Sequence, residues 1–156
     1  MSNLWIDAIT DRSQQDINRI LELLAKVDFE SFTSEEQNEW LLGEKGALNR
    51  YDLERIKNNI ELLNEVLVLP TTIPAIPELP KIDFYDCILA DVEAIRTAGP
   101  KKTTTPDTPT QPLNTFQKWN DIERILFDVY DLLLNNFHYY CGGDQLYAGA
   151  STGLLL

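Results

Sequence analysis

Four segments of the chain repeat one spacing of apolar residues, and this spacing limits what they can fold into. In LERIKNNIELL, which starts at residue 53, apolar residues recur after three, four and three positions. INRILELL from residue 17, IERILFDVYDL from residue 122 and the segment 85–95 follow the same rule. The alternation places one apolar stripe along a helix, so each segment is predicted to be a helix that packs beside another helix.

Capping signals divide the first part of the chain into three helices. Each candidate N-cap is followed at the third position by a polar partner, the spacing of a capping box: Asp11 with Gln14, Thr33 with Glu36, and Asn49 with Asp52. Gly43 stands where a left-handed cap would end the second helix. We therefore expect a helix at about 12–27, a short second helix ending near Gly43 and a long third helix to about Leu67. Residues 1–69 are predicted to be a three-helix unit that folds on its own.

Two proline-containing segments interrupt the second part of the chain. Four prolines recur every three or four residues in 70–82, which predicts an extended, semi-rigid spacer. The Thr/Pro-rich segment 100–113 has nothing to bury, so we expect it to be mobile or draped on a partner. A helix capped by Asp83 is predicted at 83–99, and a long helix at 114–141 precedes an extended, Gly-rich apolar tail at 142–156. The expected fold class is therefore all-α.

Charge excludes some partners. The chain has 13 basic and 25 acidic residues, a net charge of -12, so most of its surface would repel a phosphate backbone. We expect no nucleic-acid partner. The sequence has no run of about 18 apolar residues and no signal-like start. We therefore expect no membrane association, and we expect the protein to be synthesised in the cytoplasm.

Motifs for chemistry are absent from the sequence. His138, Cys141 and Cys87 are too few and too irregularly spaced for a metal site, and the two cysteines are interpreted as reduced packing residues. The carboxylates are expected on helix starts and solvent-facing surfaces. No nucleophile, phosphate-loop or dinucleotide motif occurs. We predict no catalytic residue, no metal, no cofactor and no small-molecule substrate.

The helices of the second part have more apolar surface than they can cover. Residues 1–69 can form an intramolecular core, but two helices separated by a linker cannot hide both stripes, which favours association with other chains. The tail suits an extended segment bound in a neighbour's groove, the alternative being a frayed terminus. The predicted partner-binding residues are Ile122, Ile125, Val129, Leu132, Leu133, Phe137, Leu146, Tyr147, Leu154, Leu155 and Leu156.

Several short motifs resemble those of a known class of protein. They are a TDR helix start at residues 10–12, a WLxG turn at 40–43, a GAxN link at 46–49, a DLxRIxxN helix at 52–59, and WNDIE at 119–123 followed by FHYYCGGDQLYAG at 137–149. In this order they resemble small tail-associated proteins of tailed phages and prophages of Gram-positive hosts, and tail proteins of contractile bacteriocins.

That resemblance implies a location and a role. The protein would be a non-catalytic structural component of the virion or of a phage-tail-like particle, in the tail, baseplate or fibre region. It would contact other tail or baseplate proteins and form a symmetric homo-oligomer in the particle. The alternative is a soluble assembly adaptor or chaperone that holds a tail component and is not retained.

Overall fold

A computed structural model of the chain describes residues 4–26 and 28–135. Within these residues the regular secondary structure is entirely helical, which confirms the all-α class for this part of the chain. The helices are α1 (Gln14–Leu24), α2 (Ser34–Leu42), α3 (Arg50–Leu67), α4 (Ile82–Ala98) and α5 (Phe116–Tyr130). A 3₁₀ turn spans Phe29–Ser31, and one π-helical segment, Asp131–Asn135, continues α5.

Two of the three predicted capping boxes are confirmed. Thr33 with Glu36 caps α2, and Asn49 with Asp52 caps α3. The first box was wrong by two residues, since the cap of α1 is Ser13 with Asp16. The reason lies in the residue before it: Arg12 is buried and its backbone N–H donates to Asn120, so the chain stays extended up to this point.

The other helix ends differ from the sequence predictions by a few residues. Gly43 closes α2 at the predicted position with a positive φ of 89°, but its ψ of 120° is not that of the predicted left-handed cap. Helix α1 ends at Leu24, earlier than predicted, and α4 begins after Lys81 without a side-chain cap, so Asp83 is not its N-cap. Helix α5 is regular only from Phe116 to Tyr130. The remainder of the predicted long helix beyond residue 135, and the predicted tail at 142–156, lie outside the described residues.

Helices α3, α4 and α5 pack together as a three-helix bundle. Contacts at both ends show that α4 and α5 are parallel: the rings of Tyr85 and Trp119 lie 5.8 Å apart near the helix starts, and Gly99 packs against Val129 near the helix ends. The core residues come from the bundle and the segment between α3 and α4. They are Leu53, Ile56, Ile60, Leu63, Ile73, Phe84, Ile88, Val92, Ile95, Trp119, Ile122, Ile125, Leu126 and Val129.

Parallel neighbours require connections that return along the bundle, and the two proline-containing segments provide them. In the first, the Ile73 side chain is buried in the core and the Thr72 N–H donates to Asp91 of α4 at 3.0 Å. In the second, the Thr105 hydroxyl donates to Asp128 of α5 at 2.6 Å. The expectation that residues 100–113 are mobile or draped on a partner was therefore wrong, because the chain's own helices hold them.

The predicted three-helix unit at 1–69 is not the arrangement in the structure. The apolar stripe of α3 is covered by α4 and α5, whereas α1 and α2 contribute no residue to the bundle core. We call residues 14–42, which contain α1, the 3₁₀ turn and α2, the helical hairpin. The spacing rule identified a buried stripe on α3 correctly but could not say which helices bury it.

Candidate functional site

Four charged side chains meet between the N-terminal segment, α3 and α5. Arg12, Asp52 and Glu123 are buried, and the Arg55 side chain is only 11% exposed. The Nη2 atom of Arg12 lies 2.8 Å from Glu123 Oε1 and 3.2 Å from Asp52 Oδ1. Arg55 Nη2 contacts the same two oxygens at 2.7 and 2.6 Å. We call these four residues the charged cluster.

The charged cluster is electrically balanced, with two guanidinium groups and two carboxylates. Burial works against the charge on Arg55, but the hydrogen bonds and charges of Glu123 and Asp52 outweigh it, so the pKa of Arg55 is raised. Both Glu123 oxygens accept hydrogen bonds, since Arg55 Nε and the Ile9 N–H bind Oε2 at 2.9 and 2.8 Å. With every carboxylate committed to a fixed donor, the cluster is suited to holding segments together and not to proton transfer.

The N-terminal arm, defined as residues 4–12, lies extended in the groove between α3 and α5. Asn59 of α3 binds both backbone groups of Ile6, accepting from its N–H at 3.0 Å and donating to its carbonyl at 2.7 Å. Asn120 of α5 binds Arg12 in the same way, at 3.1 and 2.9 Å. The arm therefore runs antiparallel to both helices, which are parallel to each other.

Two more buried carboxylates fasten the returning segments to the bundle. Asp91 accepts from the Thr72 hydroxyl at 2.7 Å as well as from its N–H. Asp128 accepts from Thr105 and pairs with Lys102 at 3.3 Å. Each of the three grooves of the bundle is thus occupied by an extended segment that a buried carboxylate holds. The expectation that carboxylates lie on helix starts and solvent-facing surfaces was wrong for these three, because they are buried.

Three of the sequence motifs supply the residues of the charged cluster and the two asparagines that bind the arm. TDR supplies Arg12, DLxRIxxN supplies Asp52, Arg55 and Asn59, and WNDIE supplies Asn120 and Glu123. These segments are separated by up to about a hundred residues in the chain and meet at one place. These three motifs therefore supply framework residues in this fold, whereas the motif at 137–149 lies outside the described residues.

The predicted partner-binding residues divide into three groups. Ile122, Ile125 and Val129 have no exposed surface and lie in the chain's own core, so the prediction that they bind another chain was wrong. The reason is that α3 and α4 together cover the stripe of α5. Leu132 and Leu133 are half-buried, and Leu133 packs against the core. Phe137, Leu146, Tyr147, Leu154, Leu155 and Leu156 lie outside the described residues.

The helical hairpin exposes several large apolar side chains, and others, such as Tyr51, Val68 and Ile82, are exposed elsewhere. Leu21 and Leu24 of α1 are 58% and 60% exposed, and Leu41 and Leu42 of α2 are 69% and 84% exposed. Phe32 packs edge-on against Trp40 at 5.8 Å and tilted against Phe29 at 5.4 Å, which gives the hairpin a small, partly exposed aromatic cluster. The available sequence signal was the adjacent pair Leu41–Leu42, since one helix face cannot bury both.

The described surface also contains a polar cleft and a free thiol. One cleft of about 440 Å³ is lined by polar side chains that include Asn120, Asp121 and Arg124, and burial raises the pKa of Asp121. Among residues 4–26 and 28–135 no group of His, Cys, Asp and Glu side chains is arranged to hold a metal ion. Cys87 is a free thiol that packs beside the core. No described helix combines the length and apolar character needed to cross a membrane.

Comparisons with known proteins add no identity. No protein-family model, no curated protein and no solved structure matches the chain.

Proposed function

We propose that the protein is a structural subunit of a phage tail or phage-derived particle, in the baseplate, fibre-attachment or tail-tip region. One observation carries the proposal: the apolar stripes of the bundle are buried in its own core, whereas the helical hairpin displays Leu21, Leu24, Leu41 and Leu42 to solvent. Apolar surface that a folded chain leaves uncovered is typical of a site for another protein. The occupant we propose is a neighbouring tail or baseplate subunit with a complementary apolar face.

The resemblance to tail-associated proteins supports the same role. Three of its six motifs, which lie far apart in the chain, converge in the charged cluster, as a shared framework would require. The cluster fixes the arm to the bundle, so a rigid body would present the hairpin to its neighbour. The proposal also includes several symmetry-related copies in the particle. The segment 142–156 remains a predicted second contact with a neighbour.

Particles purified from the strain that carries the gene provide the test. If the protein is a tail component, its peptides are abundant by mass spectrometry in the particles. If it is an assembly adaptor or chaperone, it is abundant in the lysate and absent from the particles, and the structural proposal is rejected. Deletion of residues 145–156 tests the predicted tail contact, which is rejected if the shortened chain is incorporated at normal stoichiometry.

A matched pair of variants tests the hairpin surface in the same particles. Leu42→Asp changes a residue that is 84% exposed on the hairpin, and Leu79→Asp changes one that is 77% exposed between α3 and α4. Neither should disturb folding, since both side chains are in solvent. We expect only Leu42→Asp to prevent incorporation. Equal incorporation of the two variants would show that the hairpin is not the contact surface.

A further inference from the structure

The groove between α3 and α5 binds the N-terminal arm as a receptor binds an extended peptide. Asn59 and Asn120 each pair with both backbone groups of one arm residue, a mode that reads an extended backbone independently of its side chains. Between these positions Glu123 accepts from the N–H of Ile9 at 2.8 Å. The groove therefore supplies polar partners at intervals of three residues along the arm.

Two side chains of the arm add selectivity at its ends. The ring of Trp5 stacks on Tyr130 with centroids 4.1 Å apart and planes inclined by 7°. Seven residues later, the guanidinium group of Arg12 enters the charged cluster between Asp52 and Glu123. A ligand of this groove needs an aromatic residue and an arginine at this separation, both in an extended segment.

A long stretch of chain connects the arm to α3, the first helix of the groove that the arm fills. The chain from Arg12 passes through the helical hairpin, which contributes nothing to the bundle core, and returns to α3 through residues 43–49. Gly43 in this linker has a positive φ, and Gly46 packs directly against the backbone of Asp16. Residues 4–42 thus form an attachment whose hydrogen bonds and ion pairs to the bundle come mainly from the arm.

We propose that the α3–α5 groove is a peptide-binding site, and that in the assembled state it is filled by residues 4–12 of a second copy of the chain. An identical arm makes identical contacts, so exchange between chains sacrifices none of them, and this is why exchange of an element is a low-cost route to association. The proposal goes beyond the proposed function and holds whether or not the particle is a phage tail.

A peptide experiment on the full chain tests the groove. The Arg12→Ala chain has a weakened arm and an intact groove, and a labelled peptide LWIDAITDRS should bind it. The matched peptide with Arg12→Ala should bind at least about tenfold more weakly, because it leaves the buried carboxylates with one guanidinium partner fewer. The unaltered chain should bind the peptide poorly, since its own arm competes at an effective concentration of the order of millimolar.

Folding of the tested chains must be established first by circular dichroism. If Arg12→Ala does not fold, the Trp5→Ala chain replaces it, because that change removes only the stack on Tyr130 and leaves the charged cluster complete. A folded Arg12→Ala chain that binds neither peptide, or binds both equally, overturns the peptide-binding site. The arm of the Trp5→Ala chain still competes, so this chain is compared with the unaltered chain, and equal binding of LWIDAITDRS by the two overturns the site.

Complementation of two full-length variants tests the second copy as the occupant. The Arg12→Ala chain has a usable groove, and an Asn59→Ala/Asn120→Ala chain has a usable arm. Mixed together, they should form a one-to-one complex of twice the 17.9 kDa chain mass in light scattering, which neither forms alone. If both are folded and the mixture contains only monomers, a second copy is not the occupant and the proposal is overturned.

Discussion

The three-helix bundle and the helical hairpin differ in how much of their apolar surface they bury. In the bundle, Ile56, Ile88 and Ile125 have no exposed surface, while in the hairpin Leu24, Leu41 and other large apolar side chains are more than half exposed. The same contrast holds for charges: bundle ion pairs are buried around Glu123, whereas Arg19 pairs with Glu22 and Glu39 at the surface. The bundle thus buries its apolar stripes and its central ion pairs, and the hairpin leaves much of its apolar surface exposed.

The largest expected effect comes from separating the two regions. A fragment of residues 1–69 should show no cooperative thermal transition by circular dichroism, because it exposes the stripe of α3 that α4 and α5 cover. This reverses the expectation from sequence that the fragment folds alone. The control is a fragment of residues 43–135, which retains the whole bundle core and should unfold in one transition. A cooperative transition in fragment 1–69 would mean that α1 and α2 can cover the apolar stripe of α3 in place of α4 and α5.

The second prediction concerns the charged cluster. Glu123→Ala removes the carboxylate that both Arg12 and Arg55 contact and leaves two guanidinium groups beside one aspartate. We expect a loss of about 3–5 kcal/mol in the free energy of unfolding, measured by urea denaturation. Glu65→Ala, an exposed position on α3, is the matched control and should change stability by no more than about 0.5 kcal/mol. Equal effects would show that burial of the cluster has little energetic weight.

The third prediction compares one apolar residue from each region. Ile125→Ala removes a fully buried side chain from α5 and should cost about 2–5 kcal/mol, from lost burial and the cavity left behind. Leu41→Ala on the hairpin removes a side chain that is 69% exposed and should leave the free energy of unfolding within about 0.5 kcal/mol. Urea denaturation of both variants gives the values. A large loss for Leu41→Ala would indicate that it packs in solution and is not free for a partner.

The sequence predicted the helices well because their signals are local. The spacing of Leu53, Ile56 and Ile60 depends only on the period of a helix, and the cap formed by Asn49 and Asp52 depends on four consecutive residues. The partner of each stripe is not a local property. Nothing in the sequence of α3 shows whether α1 and α2 or α4 and α5 cover its apolar stripe. The three-helix unit was therefore predicted from α1, α2 and α3, whereas α3 packs with α4 and α5.

The buried carboxylates could have been suspected from the sequence. Glu123, Asp91 and Asp128 each stand next to a residue of an apolar stripe: Ile122, Val92 and Val129. An acidic residue at that position is at the edge of the buried face and needs a donor. Its donor could not be read from the sequence, since Ile9, Thr72 and Thr105 lie in extended segments whose course depends on the parallel arrangement of the helices.

The smallest expected effect is a loosening of the hairpin by acid. Hydrogen bonds from Ser13, Lys26 and Arg19, in that order, lower the pKa of Asp16, Glu36 and Glu39. A carboxylate with a lowered folded pKa stabilises the fold above its unfolded pKa, and this contribution is lost as the pH falls through the folded value. Burial raises the pKa of Glu44, so protonation of this one group opposes the loss of stability that protonation of the other three carboxylates causes.

Backbone NMR spectra recorded from about pH 7 to about pH 3 can separate the two regions. Signals of residues 14–26 and 28–42 should change below about pH 4.5, where these carboxylates become protonated. Because the pairs lie at the surface, added salt should reduce the change. In the matched variant Glu36→Gln, which cannot titrate, the acid response of α2 should shrink. If bundle signals respond first, or if Glu36→Gln leaves the response unchanged, the surface ion pairs do not hold the hairpin together, and its aromatic contacts around Trp40 do.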